Sequence, residues 1–117
     1  KIYSQARIVL CLHYRDPDGK VPCLQAAPRV YEAMACGAFL MVDPQRDVKR
    51  LFRSGDGLVV FKDVKELREL ICYYLDHPKE RKAIANKGRE MVLSKHTYRH
   101  RMQEMLSIVT GGEYCAG

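Results

Sequence analysis

No apolar run in this chain approaches the roughly 20 residues of a membrane helix, so no bilayer span is expected. There is no C-x-x-C pair, and the cysteines, Cys11, Cys23, Cys36, Cys72 and Cys115, are odd in number. That argues against a disulfide framework and for free thiols in a reducing cytoplasm. The histidines, His13, His77, His96 and His100, show no finger spacing with the cysteines, so no metal is expected. His96 and His100 are four apart, which fits surface or capping chemistry on a helix. Neither G-x-G-x-x-G nor a Walker loop occurs, which removes the usual dinucleotide and P-loop sites. No Ser/His/Asp or Cys/His pair stands at an informative spacing, and no internal repeat is visible. From Lys1 onward the charged and apolar regions of a signal peptide are missing, so none is expected.

What is present is an ordinary globular balance: 117 residues, 47% hydrophobic and 29% charged. That is one domain or part of one, too apolar for disorder. The net charge of +6 is spread evenly over the two halves, with no basic tail and no block of five or six like charges. It leaves phosphate ligands and anionic surfaces open. Nucleic acid is not expected, because no binding motif accompanies the charge.

Along the chain, residues 7–12 form a short apolar run rich in β-formers and read as a buried strand. Residues 13–28 form a polar loop with turn chemistry at Asp16-Pro17-Asp18-Gly19, too long for a simple connector. Pro28 opens a helix that Gly37 stops. Residues 38–42 are apolar without alternation, as in a strand buried on both faces. A short helix over 47–52 and a third strand over 58–61 follow. Asp63 and Glu66 predict a capped helix. Pro78 starts the next helix, and Thr97 caps the last, with Tyr98 expected to anchor it by packing. Tyr73 and Tyr74 are expected to pack, and Cys36 to be a small core residue. The order predicts an α/β fold: a partial Rossmann-like parallel sheet of about three strands with helices.

In such a sheet, ligands bind beyond the carboxyl ends of the strands. The long loop and the helix start at Pro28 meet there. Backbone N–H groups at a helix start hold phosphate, and Arg29 is placed to pair with its oxygens. Glu32, one turn in, is placed to accept hydrogen bonds from sugar hydroxyls. The bland alternative is a solvated Arg29–Glu32 pair or a carboxylate that only complements the helix dipole.

At these residues the chain resembles a known family. The stretch RVYEAMACGAFLMVD (residues 29–43) resembles the donor-binding signature of group 1 glycosyltransferases. DVKRLF, FKDVKELRELICYYLDHPKERKAIANKGRE and HTYRHRM follow in the order of the spore-maturation-type branch, so the resemblance covers residues 3–108. It implies half of the C-terminal domain of a GT-B enzyme, with residues 1–110 as a nucleotide-sugar-binding fragment; the residues after the last helix, 111–117, read by themselves as a frayed tail that Gly111-Gly112 opens. The whole enzyme would move a sugar from a nucleoside diphosphate to an acceptor, with the nucleotide-sugar as substrate and no cofactor or Asp-x-Asp metal. It implies that Glu32 meets the donor ribose, Arg29 the phosphate, and the backbone of Ala26, Ala27 and Pro28 the diphosphate. His13 and Tyr14 are placed in the cleft. The fragment alone is expected to be inactive, its partner being the acceptor domain of the same protein, with the last helix crossing to that domain.

Two departures stand out. The larger group has a second glutamate eight positions before the first, where this chain has Leu24, and Gln25-Ala26-Ala27 replaces a Gly-x-Gly stretch. They motivate the alternative of a non-catalytic Rossmann-like interaction module. In that module the open edge of the first strand pairs with a second copy to form a homodimer.

Overall fold

The computed structural model describes residues 1–13, 17–20 and 26–111. Tyr14, Asp16, Cys23, Leu24, Gln25, Cys115 and the tail from residue 112 onward lie outside the described residues.

Three parallel strands, β1 (Val9–Cys11), β2 (Leu40–Val42) and β3 (Val59–Val60), form one sheet in the order β1-β2-β3. Val9 lies opposite Leu40, Cys11 opposite Val42, and Val42 opposite Val60. Parallel neighbours require crossovers. Helix α2 (Pro28–Ala35) lies on the path from β1 to β2, and α3 (Arg46–Leu51) on the path from β2 to β3. The remaining helices are α1 (Ile2–Gln5), which the sequence did not signal, α4 (Val64–Asp76), α5 (Pro78–Lys95) and α6 (Tyr98–Val109).

The absence of alternation in β2 has its cause in the two-faced core. All three of its residues are buried. On one face Leu40 and Val42 join Val30, Ala33 and Met34 of α2. On the other, Met41 joins Phe39, Val59 and Phe61 against Tyr74 of α4 and Ile84 and Ala85 of α5. Each strand is shorter than its apolar run, because a ladder ends where its neighbour ends. Leu12, beyond the end of β1, is 57% exposed.

The helix ends follow local chemistry. Gly37 takes φ 74°, the left-handed conformation that ends α2. Asp63 caps α4 by accepting from the Glu66 N–H at 2.8 Å. The Glu66 carboxylate accepts in turn from the Lys62 N–H at 2.6 Å, one residue ahead of the cap. Thr97 caps α6 in a reciprocal box whose third residue is His100.

Three expectations fail. Tyr98 does not anchor α6 by packing: it is 82% exposed, and no residue of α6 is buried. Cys36 is exposed, because it falls at the C-cap of α2, beyond the helix's buried face. Tyr73 is also exposed; its hydroxyl donates to Glu80 at 2.8 Å and its ring stacks on His77 at 4.0 Å, while Tyr74 alone is buried.

Candidate functional site

The carboxyl ends of β1 and β2 bring His13 and Asp43 together. The Asp43 carboxylate faces His13 Nδ1 at 2.6 Å and accepts from the His13 backbone N–H at 3.1 Å. Its other oxygen accepts from Gln45 Nε2 at 2.9 Å. Burial by itself would raise the Asp43 carboxyl. The hydrogen bonds from the His13 side chain, Gln45 and the His13 backbone, with the attraction of His13, outweigh it and hold the group below the usual carboxylate range. The opposite imidazole nitrogen, Nε2, accepts the Ala27 N–H at 2.9 Å.

Ala27 is the N-cap of α2 and brings no side-chain acceptor to it, and Pro28 occupies the first turn. The positive end of the helix dipole therefore sits at the edge of the sheet, where an anion is favoured. Arg29 is exposed and donates one guanidinium N–H to the Leu12 carbonyl at 3.2 Å. That bond replaces the Arg29–Glu32 pair as this arginine's contact and ties α2 to the end of β1.

Glu32 is exposed on the next turn of α2. It borders a pocket of about 190 Å³ together with Ala26, Pro28 and Tyr31 on one side and His96, Tyr98 and Arg101 on the other. Two of its lining rings, Tyr31 and His96, lie tilted against the buried Phe52 and against each other, with centroids 5.4–5.8 Å apart. Burial, then the charges of Arg101, Lys95 and His100, push the His96 imidazole down, against Glu104. A guanidinium only donates, so His96 Nδ1 is the acceptor for Arg101 at 2.8 Å.

Of the residues singled out from sequence, Ala27 meets His13 and Arg29 meets Leu12 at the strand end, and Glu32 shares the adjoining pocket with Pro28. Sequence reasoning did not single out Asp43 or Gln45 as site residues. The signal was there: an acidic residue directly after the central parallel strand, where sites form. It also missed the Arg101–Tyr98 wall, which comes from a distant helix. Among the described residues, no three His, Cys, Asp or Glu side chains are grouped to hold a metal ion. Nor is any helix among them long and apolar enough to cross a membrane.

Sucrose-phosphate synthase from Thermosynechococcus elongatus has a similar fold, with a TM-score of 0.73 and 18% identity over 96% of this chain. The chain spans 27% of that synthase, and at this identity the likeness is one of fold. None of the curated proteins matches. The three-stranded parallel sheet with its helices is that of a GT-B glycosyltransferase fragment. The glycosyl transferase-like family matches residues 1–107, nearly the whole length, and the chain belongs to that family.

Proposed function

We propose that this segment is the nucleotide-sugar donor-binding part of a glycosyltransferase of the spore-maturation-type branch. The whole protein transfers a sugar from a nucleoside diphosphate to an acceptor held by a further domain. The donor diphosphate lies at the start of α2, against the backbone of Ala27 and Pro28 and the free edge of the Arg29 guanidinium. The ribose hydroxyls donate to Glu32. Catalysis is then mainly positioning and stabilisation of the departing diphosphate.

The observation that carries this reading is the pocket itself. The α2 start, where an anion is favoured, and Glu32, an acceptor for hydroxyls, border one cavity at the carboxyl edge of a parallel sheet. Membership of the glycosyl transferase-like family supports the substrate class.

An amide NMR titration of the chain with UDP, GDP and ADP tests it. Shifts are expected at residues 26–33 with one nucleotide, weakened about tenfold by Glu32→Ala, the loss of one charge-assisted hydrogen bond. No shift with any of the three overturns the reading.

A further inference from the structure

The imidazole of His13 does two different things at its two nitrogens. Its side chain is 6% exposed and that of Asp43 4%, so both are shut away from water. An ionised carboxylate only accepts, so Nδ1 carries the hydrogen, at 2.6 Å from Asp43. Nε2 keeps its lone pair, and the Ala27 N–H donates to it at 2.9 Å. Gln45 and the His13 backbone N–H hold the carboxylate in turn. The N-cap of α2 is therefore fixed by a side chain of the sheet's edge, not by a cap of its own.

We propose that His13 is a positioning residue of the donor site: oriented by Asp43, its Nε2 fixes the Ala27–Pro28–Arg29 start of α2 in the geometry that receives the diphosphate. The inference rests on the donor-binding reading above. His13 contacts no ligand atom in it. It removes the need to order the helix start on binding, which is how preorganisation raises affinity. The Arg29 contact to the Leu12 carbonyl makes a second tie to the same strand end.

Two substitutions separate positioning from mere filling. Asn copies the Nδ1 side of histidine and keeps a donor for Asp43. Gln reaches the Nε2 position and keeps an acceptor for the Ala27 N–H. A residue that only satisfies Asp43 would tolerate His13→Asn better. Positioning demands the reverse: His13→Gln keeps nucleotide affinity within about threefold, and His13→Asn loses about tenfold, one hydrogen bond's worth. The experiment is the UDP, GDP and ADP titration on the full chain and both variants, with Ala27 amide exchange measured without nucleotide. Exchange is expected to be slow in wild type and His13→Gln and faster in His13→Asn.

Wild-type binding with His13→Asn equal to or tighter than His13→Gln overturns the proposal alone. A wild-type chain that binds none of the nucleotides overturns the donor reading, and the proposal with it. The imidazole tautomer of the wild-type chain, read from long-range ¹H–¹⁵N spectra, needs no variant to fold. Nε2 without a hydrogen is expected, and a hydrogen on Nε2 overturns the proposal.

Discussion

Asp43 is 3% exposed, and its charge is kept by the donors that surround it. Its carboxyl is held below the ordinary value of 3.8, so the folded state binds its proton less readily than the unfolded chain. Stability from this group is present above 3.8 and is lost as the pH falls through the lower folded-state value. Thermal melts across acid pH are expected to show that fall in the wild type and a smaller one in Asp43→Asn. Asp43→Ala leaves the buried donors of His13 and Gln45 without their acceptor and is expected to cost about 3 kcal/mol in urea unfolding. The cysteines differ for a related reason. Burial, against the pull of Arg29 and with the push of Asp43, raises the Cys11 thiol, whereas Cys36 and Cys72 are exposed. Peptide mapping after brief iodoacetamide treatment is expected to find Cys36 and Cys72 alkylated and Cys11 intact until the chain is unfolded.

The helices are held by different means at their ends and along their lengths. Thr97 and His100 close the start of α6 with a reciprocal pair of backbone contacts, and Thr97→Ala is expected to cost about 1 kcal/mol. Along α5 the decisive residue is Gly88. It lies so close to Gly57 that a Cβ placed on it would meet the Gly57 carbonyl oxygen. Gly57 itself has φ 103°, a conformation that other residues rarely adopt. This contact brings α5 against the turn that leads into β3. Gly88→Ala is expected to cost about 1–3 kcal/mol in chemical denaturation, because backbone gives way less easily than a side chain. The helix starts at Pro28, Asp63, Pro78 and Thr97 were legible because caps are local chemistry. The closeness of Gly88 to Gly57 was not, because nothing near either glycine in sequence names its partner.

At the scale of the whole molecule, apolar side chains among the described residues stand exposed at the sheet edge and along the last helix. Leu10 and Leu12 are exposed at the β1 edge of the sheet, and Tyr98, Met102, Met105, Ile108 and Val109 are exposed along α6. No residue of α6 is buried, so its apolar stripe adds little to the stability of this segment. Met105→Ser with Ile108→Ser is expected to shift the urea midpoint by less than about 0.5 kcal/mol equivalent.

The sequence by itself determined the α/β order, the parallel sheet, the capped helices and the glycosyltransferase resemblance. These rest on periodicity, turn residues and a local motif from Arg29 to Asp43, all written in neighbouring positions. It also marked Ala27, Pro28, Arg29 and Glu32, because a helix start after a strand is a local signal. Only the tertiary structure decided what those residues touch. His13 and Asp43 are 30 positions apart and meet because β1 and β2 pair side by side with their carboxyl ends together. Arg101 and Tyr98 reach the Glu32 pocket because α5 carries the chain back past α2. The fate of Tyr98 was decided there too, since burial depends on whether another element arrives to cover a ring.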